Sequence, residues 1–442
     1  MVHLGVITLE LSEPRRPPLG DEALYQTAAI ELLQTGSTDL NPLWPPLYLF
    51  FLAALRWLGR DSWWLVPWVQ GGLLVLAAWL LRSLGRRLLG NVPEMDLAAI
   101  LMLLYPPLVA FTHYFWPEVL HLVLMLAVAE ILLAARRDST WMLGLGLLLG
   151  LAIACKALLT PWVPILLWWA GRRPAEERRR FWTVAWGPVA WASLGLSLVT
   201  LPLMAWNSHR VGVFTLSDSV AFNLWVGLEE TSRKSFVGEV AGVEYRTFLD
   251  SGTSFAERQA VLWSKIRRRV QERKVLDLVK AQLGRQYFRV FDKDSFFTDQ
   301  LPGGVVANQK KGWGYRSASP LLVTLLRNTS YFLYTGILLL ACLGMAVCVP
   351  TRRPWLWAVA GFLAYNLLLF LALHVKSRYR IQLLPWLFLY ATCGISWLRQ
   401  RLGGGELPLV LQPVTDRSRP VSWRWGLCAA SMTTCLYLAF WQ

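Results

Sequence analysis

Long blocks of apolar residues separated by short polar loops dominate this chain. A helix needs about 20 apolar residues to cross ~30 Å of hydrocarbon. Blocks near that length recur at 63–81, 95–112, 117–135, 141–155, 158–171, 182–205, 320–349, 355–374, 381–398 and 424–441. The pattern predicts an all-α polytopic membrane protein in four regions. Residues 1–62 form an N-terminal polar loop with a short apolar helix, and 63–206 a first transmembrane bundle. Residues 207–319 make one long loop, and 320–442 a second bundle. Within the long loop an amphipathic helical pattern runs from about Ser254 to Phe291 and includes Ile266-Arg-Arg-Arg-Val270, suited to a membrane surface or to a solvated face. No internal repeat is visible.

Composition sharpens this picture. Of 442 residues, 55% are hydrophobic and only 16% charged, against ~25% charged in average soluble domains. Those values exclude a disordered chain, a nucleic-acid-binding domain and an ordinary soluble enzyme. The net charge of +16 reads as positive-inside anchoring, and the many tryptophans suit the headgroup zone. Cys155, Cys342, Cys348, Cys393, Cys428 and Cys435 lie in or beside apolar runs without a CxxC, as buried small hydrophobes do. No signal peptide is visible in Met1–Gly20, where a short apolar patch gives way to Pro14-Arg-Arg-Pro-Pro18.

Basic residues mark alternate loops: Arg82, Arg86 and Arg87; Arg136 and Arg137; the run 171–180; Arg352 and Arg353; and Arg399, Arg401, Arg417 and Arg419. That face is expected to be cytoplasmic. The segment Pro42–Leu58 is apolar, yet a crossing there would invert the alternation downstream. It is expected to lie in the outer interface as a juxtamembrane helix started by Pro45 and Pro46.

Charged groups beside apolar spans are functional candidates because burying them unpaired is costly. Four clusters fall on the outer face of this topology. Gly20-Asp21-Glu22-Ala23-Leu24-Tyr25 opens an amphipathic stretch, where adjacent carboxylates also serve as an ordinary helix cap. Tyr114-Phe115-Trp116-Pro117-Glu118 sets a carboxylate at the mouth of a span, with His121 a turn further in. Lys156 ends a glycine-rich span, where a lysine can also snorkel. His374-Val-Lys-Ser-Arg-Tyr-Arg380 crowds Lys376, Arg378 and Arg380 onto a face where positive charge is otherwise avoided, and a bound anion is the simplest explanation. Cations that hold a phosphate leaving group and a carboxylate that removes a proton from a hydroxyl or amine fit a lipid-linked phosphate donor. No GxGxxG and no P-loop is present.

These residues resemble a known family. Asp21-Glu22 with the following Tyr25 is similar to the Asp-Glu motif in the first outer loop of the GT-C glycosyltransferases. Trp44-Pro-Pro-Leu-Tyr48 is similar to their juxtamembrane helix. Glu118, the glycine-rich span ending at Lys156, Trp206–Phe214 and Arg378-Tyr379-Arg380 through Leu384-Pro385 follow in the family's order. This superfamily includes the dolichyl-phosphate-mannose–protein mannosyltransferases and the aminoarabinose transferases of lipid A. The resemblance implies a GT-C-like helix bundle and an inverting transferase in the plasma (inner) membrane, its site facing outward. It would use a polyprenyl-phosphate sugar and a lipid, glycan or protein acceptor. It gives Asp21 the role of base, with Glu22 beside it and Glu118 as a second acid. Lys156, Arg378 and Arg380 become donor-phosphate ligands, with Lys376 and Tyr25 beside them.

Three departures stand out. Family members place a spanning helix before the Asp-Glu motif, whereas Met1–Gly20 is short and polar. Trp44 replaces the lysine that precedes Pro-Pro in the aminoarabinose transferases, which argues against that lipid A activity. Residues 207–319 carry nothing like the sugar-binding insert of eukaryotic protein mannosyltransferases. The histidines are scattered, so a metal-free mechanism is the default expectation and the sequence leaves a divalent ion open. The rival function is a transporter or flippase of a polyprenyl-linked glycan, in which the same charges form a translocation site.

Overall fold

A computed structural model describes residues 18, 20–90, 93–134, 136–172, 184–229, 237–285, 287–291, 320–348 and 354–403. Among them the fold is all helical, apart from one isolated bridge between Arg172 and Val184. The expected span at 424–441, the segment before Pro18, and most of the basic run at 171–180 lie outside the described residues, as do Arg352, Arg353, Arg417 and Arg419.

The polar start folds as a helical hairpin. Helix α1 (Asp21–Thr35) carries Asp21 and Glu22 in its first turn and stops at Gly36, whose left-handed φ of 73° lets its N–H reach Leu32 O. An acidic first turn suits the positive end of the helix dipole. After Pro45-Pro46 comes α2 (Leu47–Leu58). Its 12 residues rise about 18 Å at ~1.5 Å each, too short to cross a bilayer, as the charge alternation requires. Tyr25, Ala28 and Ala29 of α1 pack on Tyr48, Leu49, Leu52 and Ala53 of α2, and Val66 and Phe115 join the cluster.

The bundle follows as α3 (Leu65–Leu89), α4 (Glu94–Leu104), α5 (Pro106–Phe111), α6 (Glu118–Leu133), α7 (Ser139–Cys155), a 3-10 turn (Ala157–Trp162), α8 (Val163–Ala170) and α9 (Trp186–Val211). The expected span at 95–112 is in fact two helices. Tyr105 is extended (ψ 114°) because the residue before a proline is driven out of the helical region, and Pro106-Pro107 start α5. The stretch 158–171 begins as the 3-10 turn, with Pro161 inside it, and runs on into α8, with proline in its first turn. Among the described residues, three helical stretches, Leu65–Leu89, Trp186–Val211 and Thr324–Val347, are each long and apolar enough to cross a membrane.

In the long loop, α10 (Val220–Glu229), α11 (Val237–Asp250), α12 (Phe255–Glu272) and α13 (Val275–Arg285) precede a 3-10 turn (Tyr287–Phe291). Ser254 and Glu257 form a capping box at the start of α12. The single helix expected over 254–291 breaks after Glu272, where Arg273 is extended and Lys274 O accepts from Asp277 and Leu278 to begin α13. The second bundle is α14 (Pro320–Cys348), α15 (Pro354–Leu369), a 3-10 turn (Ser377–Gln382) and α16 (Leu384–Arg401).

Glycines set the closest helix contacts. A Cβ on Gly344 of α14 would stand 1.7 Å from Tyr390 O of α16, and one on Gly146 of α7 1.9 Å from Ala192 O of α9. Small residues allow membrane helices to approach backbone to backbone. Gly344→Leu is therefore expected to force α14 off α16 and lower the detergent-solubilised protein's melting temperature. Gly144→Leu, where no atom lies within 4 Å, is expected to leave it near the wild-type value.

Charge sorts to opposite ends of the bundle. At one end, Arg86 of α3 pairs with Asp96 of α4 at 3.2 Å, Arg87 with Glu130 of α6 at 2.9 Å, and Arg399 of α16 with Glu94 at 3.0 Å. Glu118 opens α6 twelve residues before Glu130, about 18 Å away at ~1.5 Å per residue. The outer-face candidates gather at that end.

Candidate functional site

The ion cluster draws on four distant segments. Arg378 donates through a terminal guanidinium nitrogen to Asp21 Oδ2. Its Nε lies 3.8 Å from Glu118 Oε1, and Lys156 Nζ donates to the same Glu118 oxygen at 3.1 Å. Glu118 is 1% exposed, and its Oε2 has no hydrogen-bond partner.

Local structure explains how each side chain arrives. Asp21 stands in the first turn of α1. Glu118 opens α6 directly after Pro117, and Lys156 follows the last residue of α7, with extended backbone (φ −156°). Arg378 stands on the 3-10 turn preceding Leu384-Pro385. Aromatic rings line the cations: the Arg378 guanidinium lies 4.8 Å from the Trp116 ring centre, and Lys156 Nζ lies 5.3 Å from that of Tyr379. Tyr379 stacks on Phe370 at 5.9 Å, and its hydroxyl is 3.0 Å from His374 Nε2. Such rings strengthen cation binding and exclude water.

Electrostatics hold Asp21 ionised. Burial alone would raise the Asp21 pKa, but Arg378 first, then Lys376 and Lys156, outweigh it and bring it down to about 2 from 3.8. Burial also pushes the Tyr379 phenol up to about 12, so it stays protonated. A carboxylate with a depressed folded-state pKa contributes stability that is complete above its unfolded value. The Asp21 contribution is thus expected to be whole above pH 3.8 and lost as pH falls towards about 2. Acid unfolding of wild type and Asp21→Asn checks this: their stability difference should shrink only in that window.

The remaining candidates separate. Glu22, 0% exposed, accepts from the backbone N–H of Phe115 at 2.7 Å, so it ties α1 to the loop before α6. Tyr25 is buried in the α1–α2 core, its ring edge-on to Tyr48 at 5.1 Å. Lys376 is half-buried and acts on Asp21 through its charge. Arg380 is 1% exposed and lies over the Tyr334 ring of α14 at 4.4 Å. With three residues per 3-10 turn, 378 and 380 leave the helix in different directions.

Other polar residues brace the same loops. Gln70 of α3, fully buried, accepts from Tyr48 Oη at 3.1 Å and donates to Thr112 O at 3.0 Å and Tyr114 O at 2.8 Å. A lone amide in the apolar run 63–81 was the only sequence signal for it. Arg210, in the Trp206–Phe214 segment, donates to Thr38 O at 2.8 Å and to Leu40 O, pinning the α1–α2 connection to α9. Among the described residues, no three His, Cys, Asp or Glu side chains gather in a metal-sized group.

No family model and no curated protein matches the chain. Two solved structures of ArnT from Cupriavidus metallidurans are similar to it. The apo structure is 15% identical, with a TM-score of 0.38, covering 91% of this chain and 78% of that one. The structure bound to undecaprenyl phosphate is 13% identical, with a TM-score of 0.37, covering 97% and 87%. Both likenesses are distant.

Proposed function

We propose that this integral membrane protein is a GT-C-type glycosyltransferase. It transfers a sugar, with inversion, from a polyprenyl-phosphate donor to a lipid, glycan or protein acceptor on the extracytoplasmic side. The observation that carries the reading is the convergence of Asp21, Glu118, Lys156 and Arg378 at the bundle end opposite the arginine-rich loops. The positive-inside rule gives no reason for cations there, whereas a phosphate does.

In the reaction the acceptor hydroxyl or amine attacks the anomeric carbon. The new bond forms as the carbon–oxygen bond to phosphate breaks, and the electron pair leaves on the phosphate. Lys156 and Arg378 stabilise that charge, with Lys376 beside them, and Asp21 takes the acceptor's proton. Glu118 holds the two cations at the spacing the phosphate meets. Glu22, Tyr25, Gln70 and Arg210 fix the loops that carry these groups. Arg380 supports the 3-10 turn from the α14 side.

A carboxylate near pKa 2 is a weak base, since a general base works best near the operating pH. Donor phosphate competes with Asp21 for Arg378, so donor binding raises Asp21's basicity as the reaction needs it. kcat/KM reports the free enzyme and kcat the bound complex. Measured as rates of sugar transfer, the acidic limb of kcat is therefore expected at higher pH than that of kcat/KM. Coincident limbs would remove Arg378 sharing from the mechanism.

The deciding experiment incubates reconstituted protein with radiolabelled polyprenyl-phosphate sugars and identifies the labelled product. Sugar on an acceptor, with free polyprenyl phosphate released, supports the proposal. Relocated donor with an intact sugar–phosphate bond would instead identify a flippase.

A further inference from the structure

The corner between α12 and α13 carries a surface that the ion cluster does not use. Val275 and Leu276 are each 63% exposed, and Leu283, Val270 and Trp263 are exposed around them. Arg267 and Lys280 on these helices, and Arg273 and Lys274 in the turn between them, are exposed. Arg268 and Arg269, by contrast, are engaged locally, with Glu272 at 2.8 Å and Glu229 at 2.6 Å. Exposed aliphatic side chains among exposed basic ones favour an anionic, partly apolar surface over water.

Beside this corner lies a mostly apolar slot of about 160 Å³, lined by Leu224, Leu228, Val270, Leu278 and Leu371, with Arg273 on its wall. An apolar cavity of roughly 150 Å³ stays dry and takes up a benzene-sized group, so this one accommodates a several-carbon section of hydrocarbon. Its far wall is the turn that follows α15, at Leu371 and Ala372. Gln282 of α13 donates to Phe370 O at 3.2 Å and Leu373 O at 2.5 Å, locking the corner onto the residues that follow α15. Leu368, three residues before Leu371, is 66% exposed. The slot and an exposed apolar side chain of a bundle helix thus lie within a few residues of each other along the chain.

We propose that the α12–α13 corner seats an anionic phospholipid of the leaflet on the ion-cluster side, part of an acyl chain entering the slot and the phosphate meeting Arg273 and Lys274. The proposal rests on the membrane setting and is independent of the transfer chemistry.

The test places an environment-sensitive NBD label on Leu276→Cys in the full chain. The protein is reconstituted in phosphatidylcholine vesicles with or without phosphatidylglycerol, and labelled wild type corrects for native cysteines. A blue-shifted probe is expected, quenched by nitroxide on lipid acyl chains and shielded from aqueous iodide. Quenching should be stronger when the nitroxide is on phosphatidylglycerol. Reversing both charges (R273E with K274E) in the same labelled chain is expected to weaken that preference by about thirtyfold or more, the scale of removing two basic groups at an anionic surface. Iodide quenching in every membrane would place the corner in water. A probe reached by neither quencher would place it under protein. Equal quenching by both labelled lipids would remove the phosphate contact. Each of these results overturns the proposal. Sugar transfer is not a readout, so failure here leaves the glycosyltransferase reading standing.

Discussion

Asp21→Asn is expected to abolish sugar transfer while strengthening the grip on donor phosphate. Positioned acid–base groups contribute about 10²–10⁴-fold to rate, so turnover should fall roughly a thousandfold. The amide is close in shape to the carboxylate and its oxygen still accepts from Arg378, so the fold should persist. It no longer holds Arg378 by charge, however. A polyprenyl phosphate is therefore expected to bind the variant at least as tightly as wild type. Proteoliposome transfer assays and equilibrium binding of the labelled lipid measure the two effects. Turnover within about tenfold of wild type, outside the general-base range, would take Asp21 out of the chemistry.

Arg378→Gln should have the largest effect on both stability and activity. Arg378 faces Asp21 and Glu118, and its side chain is 12% exposed. Removing one partner of a buried ion pair typically costs about 3–5 kcal/mol, because the other charge is left uncompensated. Asp21 retains 20% exposure and Glu118 keeps Lys156, which places the expected loss near the lower end, about 3 kcal/mol. Donor binding should weaken together with the melting temperature in detergent. Combining Asp21→Asn with Arg378→Gln should recover much of the stability and none of the transfer. If Arg378→Gln alone melts with wild type and binds donor equally well, the pair is not the centre of the site.

The helices were legible in the sequence because their signals are local. Apolar blocks and the Pro45-Pro46 start of α2 each act within a few residues; the Gly36 stop and the Ser254–Glu257 cap, which the structure added, are equally local. Errors fell where local chemistry competed with pattern. Pro106 divides an apolar block that hydropathy reads as continuous, and Arg273-Lys274 breaks a helix whose amphipathic period runs on. The site was legible as four clusters of charge too costly to bury without purpose. Which charges touch was not. Gln70 also escaped notice, because one amide in an apolar run says nothing of the two carbonyls it will hold 42 and 44 residues away.

The sequence by itself determined that this is a bundle of apolar helices with arginines concentrated in alternate loops, since hydrophobic burial and positive-inside charge depend on composition and short-range order. Tertiary packing alone decided that Asp21 meets Arg378 across 357 residues, that neighbouring Glu22 instead serves the Phe115 backbone, and that Arg380 turns to Tyr334. Two adjacent helix positions point about 100° apart, and only the packed neighbours settle which of them reaches a partner.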